Sequence, residues 1–231
     1  MKKIALILSC EHAVNTVPKA YKKLFATHHN LLQTHRGIDI GSLEMARIFS
    51  KVFNCDFVQA QATRLLIDCN RSLSHRLCFS EITSVLSATE KAQLIEDYYL
   101  PYRQKIEGLI KQHIQQGKQV LHLSVHSFTP TLNELERNID LGLLYDPKRA
   151  SEKKLASSWL RYIKLQDKTL RAYSNKPYLG VSDGFTTALR KQFAEKEYAG
   201  IEIETNQKLL EDTKTLNYLS LLLATTLKSL I

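Results

Sequence analysis

The sequence predicts an α/β fold with a mainly parallel sheet covered by helices on both faces. Short apolar runs alternate with helix-length segments, and each run leads into polar residues. The 231 residues, 44% of them hydrophobic, are enough for one substantial core. No internal repeat, low-complexity tract or Gly-, Ser- or Pro-rich linker divides the chain, so a single domain over residues 1–231 is expected.

The first strand is Ile4-Ala5-Leu6-Ile7-Leu8, which runs into Ser9-Cys10-Glu11-His12. Met1-Lys2-Lys3 ahead of it gives a superficial likeness to a signal peptide. The apolar run is short, however, and Glu11, His12 and Asn15 stand where a small-residue cleavage site belongs, so a buried strand and a cytoplasmic protein are expected. After Gly41-Ser42, residues Leu43, Ala46, Ile48, Phe49 and Val52 fall close to helical spacing and predict a crossover helix. Phe57 to Ala60 reads as a second strand and Leu65-Leu66-Ile67 as a third.

Ser87 to Gln116 reads as a long helical region. Ser87 and Glu90 form a capping box, in which hydroxyl and carboxylate satisfy first-turn amides. Pro101 is expected to kink or divide the region and Gly117 to end it. Val120 to Val125 is an apolar strand that delivers His126-Ser127, and Ile139 to Tyr145 is another that runs into Asp146-Pro147. Lys153 to Leu165 is a helix, Ile201 to Glu204 a late strand and Thr213 to Leu230 a closing helix.

Composition narrows the function classes. The longest apolar stretch, near Leu219 to Leu227, is interrupted by Ser and Thr and falls short of the ~20 residues a membrane span needs. Cys10, Cys55, Cys69 and Cys78 show no C-x-x-C spacing, which argues against a zinc ribbon or a thioredoxin-like pair. The net charge of +9 raises nucleic acid as a partner, but the lysines are spread along helical segments without interleaved aromatics. Nucleic-acid binding is therefore not expected, and the charge suits attraction of a small anionic substrate.

The ends of the strands carry the chemistry. Glu11 and His12, then Arg64, Asp68, Asn70 and Arg71, then His126, and finally Glu204 all follow or close proposed strands. In an α/β sheet those positions share the rim where ligands bind. Two imidazoles and a carboxylate suit Zn²⁺, and a further glutamate can serve as general base toward water. Arginines beside them can hold a substrate carboxylate in a bidentate fork. Each residue also has a structural alternative. His122 shares a face with His126, so one of the two could be merely packed. Arg64, Asp68 and Arg71 could form an ion-pair network, and Asp39 could cap the following helix. The remaining histidines, His35 among them, read as surface or structural residues.

Five ordered segments between residues 5 and 210 resemble the N-formylglutamate amidohydrolase family. Ser9-Cys10-Glu11-His12-Ala13, with Asn15 and Pro18, is similar to its opening motif, and His35 to Gly41 to its H-x-G-x-D-x-G segment. Thr63 to Ser72, Val125 to Phe128, and Ile203-Glu204 with Leu209-Leu210 resemble the three that follow. The resemblance implies a zinc carboxypeptidase-like fold, a phosphorylase/hydrolase-like three-layer α/β/α sandwich with a mainly parallel mixed sheet. It also implies hydrolysis of a carbon–nitrogen bond in a linear amide, with an N-acyl amino acid such as N-formylglutamate as the expected substrate. His12, His126 and Asp39 are implied as zinc ligands, with Glu11 as the alternative carboxylate. Glu204 is implied as general base and acid, and Arg64, Asn70 and Arg71 as contacts for the substrate carboxylate.

Two positions depart from the family pattern. Val14 replaces a glycine after His12-Ala13, from which a narrowed pocket or changed loop is expected. Asn206 stands where the pattern has arginine. The competing readings are a carboxypeptidase- or deacylase-type zinc hydrolase acting on short peptides or other N-acyl amino acids, and a non-catalytic binding protein of the same fold.

Overall fold

The computed structural model describes residues 3–231. Its elements, in chain order, are β1 (Ile4–Cys10), α1 (His29–Leu32), α2 (Ser42–Phe53), β2 (Asp56–Gln59), α3 (Ala88–Leu94), α4 (Leu100–Gln115), β3 (Gln119–Phe128), β4 (Thr131–Leu132), β5 (Leu135–Glu136), β6 (Leu141–Leu144), α5 (Ala150–Gln166), β7 (Ala172–Ser174), α6 (Phe185–Gln192), β8 (Tyr198–Asn206) and α7 (Thr213–Lys228). Six strands form one sheet in the order β2-β1-β3-β8-β6-β7, and β4 and β5 form a separate hairpin. All neighbours in the large sheet run parallel except β6 against β8.

The sheet is mixed for a local reason. Between β3 and β6 the chain makes only the β4–β5 hairpin, too little for a parallel crossover, so β6 returns antiparallel beside β8. The two central strands, β3 and β8, are buried along nearly their whole length because helices cover both sides. On one side α2, α5 and α7 pack over a core that includes Phe49, Trp159 and Leu223. On the other, α4 and α6 pack over Ile106, Ile110, Phe185 and Tyr198. The result is a three-layer α/β/α sandwich. No helix among the described residues is long and apolar enough to cross a membrane.

Local sequence sets the helix ends. Gly41, at φ +79°, precedes α2, and a side chain there would also run into Leu210. Ser87 and Glu90 make both bonds of the expected capping box. Gly117, at φ +76°, follows the end of α4. The helical region divides next to Pro101, which lies in the first turn of α4. A π-helical turn at Ile95–Tyr99 joins α3 to α4 just ahead of it and accommodates the missing proline N–H.

Leu65-Leu66-Ile67, expected as a strand, is not one. The segment is a buried turn, with the Leu66 amide donating to the Thr63 carbonyl, and it packs with Phe25, Leu32, Leu94 and Tyr99 in a third cluster. A continuous apolar run signals burial and leaves the backbone conformation open. Five elements, α1, β4, β5, β7 and α6, had no counterpart in the sequence reading. β7 has three residues with only Ala172 buried, and α6 spans only two turns. Val14 keeps a negative φ and packs against the core beneath α2, so its side chain neither lines the central cavity nor strains the loop.

Candidate metal centre

The sheet brings the proposed residues to one edge. His12 follows the carboxyl end of β1, His126 lies near the end of β3, and Asp39 sits in the loop before α2. His12 Nδ1 is 3.1 Å from Asp39 Oδ2, and His126 Nδ1 is 2.8 Å from the same oxygen. The donor atoms of these three buried residues lie within 4.8 Å of one another. Two imidazole nitrogens and one carboxylate oxygen are a donor set suited to a catalytic zinc ion, which keeps a further position free.

The outer edge of each ring is tied to a carboxylate. His12 Nε2 lies 2.8 Å from Asp68 Oδ1, and His126 Nε2 lies 3.1 Å from Glu11 Oε2. Such pairs fix ring orientation and leave both Nδ1 atoms facing the shared point. Glu11 is thereby placed behind His126, outside the three-donor cluster. The Ser9 hydroxyl donates to its Oε1 at 2.8 Å, the Tyr102 hydroxyl at 2.9 Å, and the Ser124 hydroxyl to Oε2 at 2.5 Å.

Charge explains how these groups coexist. Burial opposes ionisation of Glu11, Asp39 and Asp68, but the adjacent His126 and His12 hold all three carboxyls well below the usual carboxylate range. Burial likewise opposes protonation of His126, and Asp39 and Glu11 outweigh it, raising its pKa well above the ordinary value. His122 behaves differently: burial pushes it down to about 4. It is the packed histidine of the pair, with ring nitrogens 2.8 Å from the Tyr198 hydroxyl and 2.8 Å from Ser9 Oγ.

Glu204 faces His126 across the β3–β8 register. It is 6% exposed, and its Oε2 has no hydrogen-bond partner. Burial raises its pKa to about 8, with Asp39 and Glu202 adding to the effect and His126 opposing it. A cation bound by the neighbouring cluster would favour the carboxylate and bring this group toward the range of a working general base.

The anion-binding candidates divide. Arg64 bridges Asp39 of the donor cluster and Asp68 behind His12, with Nη1 3.3 Å from Asp39 Oδ1 and Nη2 3.0 Å from Asp68 Oδ2. The expected ion-pair network therefore exists for Arg64 and Asp68. Arg71 lies outside it: Nη1 donates to the Asp183 carbonyl at 2.5 Å, and the buried Nε has no partner. Asn70 accepts from the Phe185 amide at 2.7 Å and so caps the start of α6. Asn206, in place of arginine, donates to the Ile139 carbonyl at 2.8 Å and braces the loop after β5.

These groups open on a cavity of about 290 Å³, whose walls include His12, Asp39, Arg64, Arg71, His126 and Glu204. His35 lines it as well, although its sequence context gave only a surface or structural reading. Glu202 and Tyr178 also line it and had not been singled out. Glu202 could have been found, since strand alternation puts residues 202 and 204 on one face. Tyr178 had no such signal, because it comes from the segment after β7.

A model of the N-formylglutamate amidohydrolase family matches residues 4–211. No curated protein matches the sequence. Among solved structures, a gene product of Agrobacterium tumefaciens is 25% identical with a TM-score of 0.83, the match covering 99% of this chain and 92% of that one. The N-formylglutamate amidohydrolase of Ralstonia eutropha JMP134 is 18% identical with a TM-score of 0.73, over 100% of this chain and 93% of that one, a likeness of fold. Since the family match runs from β1 to beyond β8 and takes in every residue of the cluster, the chain belongs to the N-formylglutamate amidohydrolase family, whose members are hydrolases acting on amides.

Proposed function

We propose that this protein is a zinc-dependent amidohydrolase that cleaves the linear amide of an N-acyl amino acid, with N-formylglutamate as the first compound to assay. The observation that carries the reading is the convergence of the His12–Asp39–His126 donors and the unpartnered Glu204 on one cavity. His12, His126 and Asp39 would hold the zinc ion, which when bound polarises the acyl carbonyl and makes water more acidic.

The chain's own groups do the rest. Glu204 accepts a proton from the attacking water at its free Oε2 and returns it to the leaving nitrogen. Asp68 and Glu11 keep the two imidazoles in the orientation the reaction needs. Arg71, which lines the cavity and makes no ion pair, meets the substrate carboxylate, while Arg64 on the same wall holds Asp39 and Asp68 in place. Holding the carboxylate at a fixed distance from the cluster aligns the neighbouring amide for attack.

Metal analysis of the purified protein, followed by assays of His126→Ala and Glu204→Gln on N-acyl amino acids and short peptides, tests this. The expected result is one equivalent of zinc, N-acyl amino acid turnover, loss of metal in His126→Ala, and metal-loaded but inactive Glu204→Gln. A metal-free wild type, or full activity in both variants, would refute it.

A further inference from the structure

The charge of the cavity wall restricts the amino acid that can leave. Arg64 is placed between Asp39 and Asp68, so its positive charge is already balanced. Among the described residues no lysine lines the cavity, and burial together with Arg64 and Arg36 lowers the pKa of His35, which favours its neutral form. Arg71 is thus the one guanidinium on the wall with an unpartnered buried donor and no carboxylate ion pair. One such group can anchor one carboxylate, the α-carboxylate of the leaving amino acid.

A second carboxylate on the substrate would meet negative charge. Glu202 projects from the same face of β8 as Glu204. Its Oε1 accepts from the Thr186 hydroxyl, and the residue lines the cavity with no ion-pair partner among the described residues. Asp183 lines the same wall beside Arg71. Glu204 lies on the same face of β8, so Asp183, Glu202 and Glu204 share one side of the cavity.

We infer that Glu202 is a specificity-determining residue that receives a cationic side chain, so that the substrate is an N-acylated basic amino acid in place of an N-acyl dicarboxylic one. This rests on the amidohydrolase reading above and puts a basic amino acid, in place of the glutamate named first there, as its leaving group. A ligand of this kind carries one carboxylate for Arg71 and one cation for Glu202, which matches the wall charge for charge. A glutamate side chain in the same place would face Glu202 as a like charge, and such a juxtaposition disfavours binding strongly.

The experiment has a binding arm and a turnover arm. Calorimetric titration of the purified protein with Nα-formyl-lysine, Nα-formyl-glutamine and Nα-formyl-glutamate is compared with hydrolysis rates for the same three compounds. Wild type is expected to favour the lysine compound over the glutamate compound by roughly 10- to 100-fold in both affinity and kcat/KM. In Glu202→Gln the ratio should fall toward one, and Glu202→Asp, which keeps the charge, should retain much of it. Equal or better binding of the glutamate compound by wild type, or a ratio unmoved by Glu202→Gln, overturns the inference. Selective binding without turnover of any compound would leave the Glu202 subsite standing and refute the amidohydrolase reading; turnover without selectivity would do the reverse.

Discussion

Asp68 Oδ1 stands 2.8 Å from His12 Nε2, on the side of the ring turned away from Asp39. The same oxygen accepts the Asn70 amide at 2.9 Å, while Oδ2 takes Arg64, so the carboxylate is fixed from two directions as it orients the imidazole. Asp68→Asn keeps the shape and removes the charge. Metal affinity is expected to fall about 10- to 100-fold with the fold retained, which a competition titration against a chelator would measure. An unchanged dissociation constant would show that His12 needs no such partner.

His126 carries a second consequence. Asp39 at Nδ1 and Glu11 at Nε2 outweigh burial and raise its pKa well above the ordinary value, which favours a protonated ring in the metal-free protein. An incoming metal must displace that proton. Binding at neutral pH should therefore release about one proton or more from the cluster and strengthen as pH rises. Zinc titrations in buffers of different ionisation enthalpy give the count directly, and zero protons released would exclude His126 Nδ1 as a ligand.

How much of this was legible in the sequence depends on what each residue needs from its neighbours. His12, His126 and Glu204 could be placed because strands deliver side chains to a common rim, and the central strands β1, β3 and β8 are apolar enough to be recognised. Glu11 and Asp68 share that rim too. What separates their supporting places from that of a ligand is which ring nitrogen they face, a matter of side-chain orientation that periodicity does not encode. Tyr102 is a further step removed: it reaches Glu11 across 91 positions, from a helix on the opposite layer. The Leu65–Ile67 segment shows the converse, where apolarity correctly marked a buried stretch but the sheet had no edge there for it to join.

Glu204 makes the metal-free protein sensitive to pH in a definite direction. Its carboxyl has an ordinary value of 4.5 and sits at about 8 when buried in the fold. Between those values the unfolded chain releases a proton that the folded chain keeps. The stabilisation is complete below the lower value and is lost as pH rises through the upper one. Glu204→Gln removes the titration. Its unfolding free energy in excess chelator should gain on wild type as pH goes from about 5 to about 8, by a margin on the order of a few kcal/mol. A constant difference across that range would show that Glu204 is already ionised in the metal-free protein.

Arg190 and Glu152 hold the far wall of the site from within the core. Arg190 Nε lies 3.0 Å from Glu152 Oε1, Nη1 donates to the Gly180 carbonyl at 2.5 Å, and Nη2 donates to the Gly200 carbonyl at 2.9 Å. Glu152 in turn accepts the Gly200 amide at 3.0 Å and the Asp146 amide at 2.9 Å. The pair thus pins α5, α6 and β8 to the loop that carries Tyr178 and Leu179 into the cavity. Arg190→Met leaves the fully buried Glu152 without its counter-ion, which should cost about 3–5 kcal/mol in urea denaturation. The double variant Glu152→Gln with Arg190→Met removes both charges and should recover part of that loss, so a double-mutant cycle should show clear coupling. Because the Gly180 carbonyl also loses its donor, Arg190→Met should raise KM for the substrate while zinc content stays unchanged. Additive stability losses with an unaltered KM would reduce the pair to two independent packing residues.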